Sequence, residues 1–320
     1  MPALLRRLAP LALLAACVPS PSLRLTAAVL RLVPEMPSDP ETLERRFGGR
    51  TYPEPPPPPA HFSERYRVSE EVVLGQRVFR VEPKTQSSPL HILYTHGGAY
   101  VYELMRPHWS IVDALARQTG ATVIVPIYPL APEHPYTATY ALLDRIYRDL
   151  LPQVGAENIV LCGDSAGGGL ALGQAIALRD QHLPLPRQVI LFSPWLDLTL
   201  SNPEIPPLDP IDFLLDAGAL RHMGRWWAAG ADPREPRLSP LWADLRGLPT
   251  IEVYQGTADL LLPDARALRD RVLAAGGQIR LHETPGAFHV FMGATYTPEA
   301  QAVYAQVAEG LGVTGPPGNR

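Results

Sequence analysis

The pentapeptide Gly163-Asp164-Ser165-Ala166-Gly167 follows the apolar run Ile159-Val160-Leu161-Cys162 and opens onto Gly168-Gly169-Leu170-Ala171-Leu172. A short aliphatic run reads as a buried strand and the small-residue stretch as the start of a helix, so Ser165 sits on a sharp strand-to-helix turn. Residues without a Cβ two before and two after the serine let strand and helix pack closely while the hydroxyl stays exposed. A surface turn could carry the same five residues. The flanking strand and helix favour a nucleophile, and they confine the chain to a sheet whose strands feed into helices.

A serine hydroxyl is a weak nucleophile near neutral pH and needs a histidine to take its proton and a carboxylate to orient that histidine. In a sheet of this kind these follow the serine in the order acid, then histidine, on loops after later strands. Residues 250–255 read as a buried strand ending in Gly256-Thr257-Ala258-Asp259, and residues 278–283 as a second strand followed by Pro285-Gly286-Ala287-Phe288-His289. Asp259 and His289 are therefore the expected pair. Asp264 is a rival acid, but it follows Pro263 where a helix begins, which suits N-terminal helix charge. His282 falls inside a strand, His134 in a proline-rich turn, and His182 and His222 in polar connections.

The oxyanion formed on an attacked carbonyl needs preorganised N–H donors. His96-Gly97-Gly98-Ala99-Tyr100 comes directly after the strand-like residues 90–94. Its position, ahead of the serine strand, suits a donor loop better than an ordinary Gly-Gly turn, and a further donor is expected from Ala166, the residue after the serine.

On these segments the chain resembles the hormone-sensitive-lipase-like group of α/β-hydrolases, the bacterial family IV esterases. His96-Gly97-Gly98-Ala99 is similar to the group's HGGG or HGGA segment, residues 128–135 to its YRLAPEHP stretch, and Gly163 to Gly168 to its GDSAGG elbow. Ser193-Pro194-Trp195-Leu196-Asp197-Leu198, Ser239-Pro240-Leu241 and the segment from Gly256 to Leu261 continue the likeness to His289, over roughly residues 23–311. The resemblance implies an α/β-hydrolase fold with a mostly parallel eight-stranded sheet, flanking helices and a helical cap. It also implies Ser165 as nucleophile, His289 as base and then acid, and Asp259 as orienter. The oxyanion hole would be built from the N–H groups of Gly98, Ala99 and Ala166, with Gly97 as a further candidate. Two positions depart from the pattern: Ala99 stands at the third glycine and narrows the space beside the acyl group, and Leu260 follows the acid where the group has proline.

The rest of the chain fits one large α/β core: it has 320 residues, of which 46% are hydrophobic and 19% charged. Strand-like segments at 66–74, 78–81, 121–127 and 188–192 alternate with helical spacing of Leu142, Ile146 and Leu150 and of Ala265, Leu268 and Val272. This alternation argues for a mostly parallel sheet covered on both faces. Residues 18–60, with helix-like stretches at 23–32 and 40–47 and the prolines at 55–59, fall outside the core residues 61–313, as does an insertion at about 201–230. By resemblance these form the cap, with Trp226 and Trp227 read as cap-core residues. Residues 314–320 read as a flexible tail.

At the start, Arg6-Arg7 precede the apolar residues 8–16, which end at Leu14-Ala15-Ala16-Cys17. This run is too short to span a bilayer and fits a signal-peptide apolar region. The tetrapeptide resembles a bacterial lipobox, which implies a lipid on Cys17 and an exported, membrane-anchored protein. The alternative is a cytoplasmic protein whose first apolar helix belongs to the cap. Cys162, the other cysteine, reads as a small buried thiol. No cysteine–histidine spacing suits a metal and no phosphate loop is present, so no cofactor or metal is expected. With 28 basic and 32 acidic residues the net charge is -4, and no basic run suits nucleic acid. The expected partner is a small ester and the reaction serine carboxylesterase hydrolysis of short to medium acyl chains; oligomeric state is not legible. A carbohydrate or xenobiotic deacetylase with the same triad is the near alternative. A non-catalytic small-ligand receptor on this fold is the distant one, and retention of all three triad residues argues against it.

Overall fold

The computed structural model describes residues 18–32, 36–37, 39–48, 54–85 and 87–313; the expected leader with Cys17 and the expected tail at 314–320 fall outside them. Eight strands form one sheet in the order β1-β2-β4-β3-β5-β6-β7-β8. β1 (Tyr66–Val73) and β2 (Gln76–Pro83) form a hairpin whose second strand also runs antiparallel to β4 (Thr122–Pro126). From there β3 (His91–Thr95), β5 (Ile159–Asp164), β6 (Gln188–Phe192), β7 (Thr250–Gly256) and β8 (Ile279–Thr284) are parallel.

The burial of these strands follows their position. β4, β5 and β6 are buried at every residue, as expected for strands covered on both faces, whereas β1 at the edge exposes all but its ends. Helices α4 (Arg106–Thr119) and α9 (Pro298–Gly310) help to bury one face, in a layer with Tyr94, Trp109, Phe192 and Tyr304. On the other face α5 (Tyr136–Val154), α6 (Ala166–Asp180) and α8 (Leu262–Ala274) cover Leu93, Leu161, Leu191 and Val253.

The eight strands lie where the sequence placed them, as do α5, α6 and α8; α4 and α9 had no reading in the sequence, and one residue is a correction. His222 lies within helix α7 (Ala217–Ala228), not in a polar connection, because Asp216 caps that helix by accepting from Ala219 N–H at 2.7 Å. The insertion is a helix only from Ala217; residues 201–216 are turns. The chain enters it through Asp197, whose buried carboxylate accepts from Thr199 Oγ1 at 2.7 Å and Ser201 Oγ at 2.9 Å.

The N-terminal helices α1 (Pro21–Leu30) and α2 (Pro40–Phe47) complete the covering layer. Trp227 is fully buried and stacks on Tyr100 with centroids 4.4 Å apart. Trp226 is instead part-exposed, and its indole N–H donates to Glu44 Oε1 of α2 at 3.1 Å. The helix α3 (Phe62–Arg65) leads into β1, and the preceding prolines run without regular structure past Trp109, whose indole N–H donates to Pro56 O at 2.8 Å.

Candidate active site

The turn at Ser165 is held in a conformation that most residues avoid, with φ 52° and ψ −121°. Its glycines are dictated by contact. A Cβ on Gly163 would lie 2.2 Å from Gly167 O, and one on Gly167 would lie 2.0 Å from Thr95 O on the neighbouring strand. Ser165 N–H donates to Phe192 O at 2.8 Å, and Ser165 O accepts from Trp195 N–H at 2.9 Å, so the end of β6 and the segment after it clamp the turn from one side.

Two loops from the far end of the sheet meet this serine. His289 follows β8, and its Nε2 is 2.9 Å from Ser165 Oγ although 124 residues separate them. Its Nδ1 is 2.9 Å from Asp259 Oδ2, on the loop after β7. The two loops are tied to each other: Thr257 N–H donates to Thr284 O at 3.1 Å and Ala258 N–H to Ala287 O at 2.9 Å. The other oxygen of Asp259 accepts from Leu261 N–H at 2.9 Å. Asp259 is fully buried, and Ser165 and His289 are nearly so, at 7% and 8% exposure. Burial pushes the His289 pKa down, but the charge and hydrogen bond of Asp259, helped by Asp212 and Asp164, outweigh it and leave the ring above its ordinary value.

The rival acid lies elsewhere. Asp264 sits in the first turn of α8, fully buried, and neither of its oxygens has a hydrogen-bond partner. Burial and then the charge of Asp197 push it up to about 7, and the Asn202 amide, approaching without a hydrogen bond, offsets only part of that. Of the remaining histidines, His282 is 2.8 Å from Glu252 Oε2 and stacks on Tyr254.

The glycine loop passes directly beside the serine: a Cβ on Gly97 would lie 3.0 Å from Ser165 Cβ. Gly98 (φ 119°), Ala99 (φ 51°) and Tyr100 (φ 64°) all adopt left-handed backbone, held by Val101 N–H on Gly98 O at 3.0 Å and Ala131 N–H on Tyr100 O at 2.9 Å. Among the described residues the N–H groups of Gly98, Ala99 and Ala166 donate to no protein acceptor. Gly97 differs from that expectation, since its N–H already donates to Asp164 Oδ1 at 3.0 Å and is not free for a ligand.

Two carboxylates that periodicity did not single out shape this site. Asp164, beside the serine, takes the Gly97 N–H and the Tyr94 hydroxyl at 2.5 Å, and so fixes the glycine loop to the strand that carries the nucleophile. Burial raises its pKa, offset in part by those bonds. Next to it His96 and His108 are pushed down to about 3 and about 4 by burial and remain neutral. Asp212, from the insertion, accepts Leu260 N–H at 2.9 Å with one oxygen and Leu214 and Leu215 N–H at 2.9 and 3.0 Å with the other. Burial, then repulsion from Asp259, lifts Asp212 to about 6. A sequence signal existed: an aspartate followed by Phe-Leu-Leu just after a proline-rich turn is a local backbone cap.

Beside Asp212 lies a cavity of about 300 Å³ lined by Met36, Asp209, Phe213, Leu214 and Leu215 among others. A larger cleft, about 540 Å³ between Arg179, Asp244 and Arg246, is at the opposite end of α6 from Ser165 and holds none of the groups just described. Among the described residues no cluster of three metal-ligating side chains occurs.

Residues 92–293 match the profile of a family described as having the alpha/beta hydrolase fold. An acetyl-hydrolase of Streptomyces hygroscopicus is 38% identical over 201 residues, 62% of this chain and 67% of the relative. An esterase of Acinetobacter venetianus is 34% identical over 232 residues, 71% of this chain and 77% of that one. Among solved structures, an esterase from the bacterial hormone-sensitive lipase family superposes with a TM-score of 0.78 at 30% identity, covering 92% of this chain and 98% of its own. A serine, a histidine and a carboxylate in hydrogen-bonded series on this sheet agree with that company: the chain belongs to the hormone-sensitive-lipase-like esterases of the α/β-hydrolase family and is a carboxylic ester hydrolase.

Proposed function

We propose that Ser165 is the nucleophile of a two-step hydrolysis of short to medium acyl esters. The observation that carries this reading is the series Asp259 Oδ2, His289, Ser165 Oγ with both contacts at 2.9 Å. The Asp259 carboxylate holds the ring proton on Nδ1, which leaves Nε2 as the acceptor for the serine proton. Oγ bonds to the acyl carbon, and the carbonyl oxygen takes up negative charge against the N–H groups of Gly98, Ala99 and Ala166. Collapse expels the alcohol with the proton that His289 carries, and water repeats the sequence on the acyl-enzyme to release the acid.

Short acyl chains are favoured by the methyl group of Ala99, which stands in the donor loop beside Ser165. The relatives named for acetyl-hydrolase and ethyl acetate hydrolase activity support the same size class. The leader ending at Cys17 supports an exported protein tethered by lipid on that residue. Hydrolysis rates over a series of chromogenic esters, from acetyl to long fatty acyl, test the substrate reading: kcat/KM peaks below about ten carbons, in keeping with a pocket of a few hundred Å³. A maximum on long-chain triglyceride refutes it. Ser165→Ala abolishes turnover while the protein stays folded, and near-native rates in that variant refute the assignment of the nucleophile.

A further inference from the structure

The first described helix has two faces. Leu23 is buried, and Ala27 and Leu30 pack on the layer that holds Phe288 and Tyr304. Turned away from that layer, Leu25, Val29 and Leu32 are 66%, 54% and 84% exposed, and Val18 just before the helix is 55% exposed. Spacings of four and three residues put the three on one line along α1 and the turn after it. Pro21 and Ala28 are exposed beside them, and the only other exposed side chains on residues 21–32 are Arg24 and Arg31. Close by, Tyr296 is 64% exposed and its hydroxyl lies 2.7 Å from Thr26 Oγ1. A helix on the surface of a globular domain turns its polar face to water. This one turns a second apolar stripe outward, and contiguous apolar exposure of that kind marks a partner.

We propose that this face of α1 lies on an anionic phospholipid bilayer and holds the mouth of the catalytic site at the lipid surface. The chain on either side of Val18 identifies the partner. Residues 8–16, ahead of the described region, are apolar and end at Cys17, so a chain tethered there delivers α1 to the membrane within a few residues. Between Cys17 and Glu35 the only charged side chains are Arg24 and Arg31, the sign that an anionic lipid surface attracts. Leu and Val in a row with arginine alongside is the composition of a helix that lies in a bilayer interface. The other end of the stripe reaches the chemistry. The Arg31 guanidinium sits 4.5 Å over the Phe213 ring, Phe213 meets Phe288 at 5.7 Å between centroids, and Phe288 adjoins His289. Docked in this way, the site takes its esters from the lipid phase or its surface rather than from bulk water.

The choice of partner rests on the tethered-esterase reading, and the test separates the two. Full-length Cys17→Ser protein lacks the lipid anchor and is mixed with vesicles of phosphatidylethanolamine and phosphatidylglycerol, with phosphatidylcholine vesicles as the neutral control. It sediments with the anionic vesicles, less with the neutral ones, and less as salt is raised. Adding Leu25→Ser, Val29→Ser and Leu32→Ser together lowers the partition coefficient at least about tenfold, since each buried methylene is worth about 0.8 kcal/mol. Melting temperature and kcat/KM on a dissolved acetyl ester stay unchanged, because all three side chains face outward. Binding undiminished by the triple substitution overturns the proposal and assigns the membrane contact to the leader. Absence of vesicle binding, with a concentration-dependent dimer that the triple substitution dissolves, overturns it in favour of a second copy of the chain. The tether is read by a different measurement, the intact mass of protein from native cells.

Discussion

Replacing Asp259 by asparagine changes one atom, and its neighbours decide which way the new amide faces. One carboxylate oxygen accepts from Leu261 N–H at 2.9 Å and the other meets His289 Nδ1 at 2.9 Å. An amide has a single oxygen. Turning its NH₂ toward Leu261 would set two donors against each other in a fully buried place, at a cost of about 1–3 kcal/mol. The oxygen therefore stays on Leu261, the NH₂ faces Nδ1, and Nδ1 has to accept. The ring proton then moves to Nε2, which donates toward Ser165 Oγ and can no longer take its proton. Loss of the base by the wrong tautomer costs about 10⁴ in kcat, or about 5.5 kcal/mol at about 1.36 kcal/mol per tenfold. Initial rates on a butyryl chromogenic ester, with circular dichroism to confirm folding, read the effect. The control is Asp264→Asn, which touches neither His289 nor Ser165 and leaves kcat within about twofold. If Asp259→Asn keeps more than about a tenth of the native kcat, or if Asp264→Asn is the more damaging of the two, the orienting acid has been misassigned.

Asp264 makes a stability prediction of its own. Its folded pKa, about 7, stands above an unfolded value near 3.9, so its contribution is fully present below about pH 3.9 and is lost as pH rises through about 7, by about 4 kcal/mol. Asp264→Asn therefore gains stability over the native chain at mildly alkaline pH and not in acid; melting curves at the two pH values that differ by the same amount refute this. In catalysis His289 acts as the neutral base, so kcat/KM rises through a pKa held above the ordinary imidazole value. Asp212→Asn removes one of the charges that hold it there and moves the acid limb to lower pH; a limb that stays in place excludes Asp212 from that role. Gly167→Ala places a methyl group 2.0 Å from Thr95 O and 2.5 Å from its carbonyl carbon, both backbone atoms of a central strand, and lowers stability by about 3 kcal/mol or more. A well-folded Gly167→Ala enzyme of native melting temperature would show the packing argument to be wrong.

The parts of this fold that were legible in the sequence are those with a period. All eight strands announce themselves by their apolar content, α5 and α8 by spacing of three and four, and the elbow by glycines that packing demands at Gly163 and Gly167, whereas α4 and α9 had no reading in the sequence. Position after the strand then separated Asp259 from Asp264: Asp259 lies in the loop leaving a strand, whereas Asp264 follows Pro263 at the start of a helix. Loops have no period, and there the reading stopped. Nothing in the residue string indicates that Asp212 would reach Leu260 across 48 positions, since that contact depends on how a proline-rich insertion folds back. His222 looked like part of a connection because Asp216 caps a helix of mixed composition, Ala-Gly-Ala-Leu-Arg-His. Gly97 is the instructive case. A glycine in a donor loop reads as a donor, yet its N–H is committed to Asp164, and that bond holds the loop at the height where Gly98 and Ala99 remain open. Residue type says which backbone can approach a ligand; only the pairing of every neighbouring acceptor says which N–H is left for it.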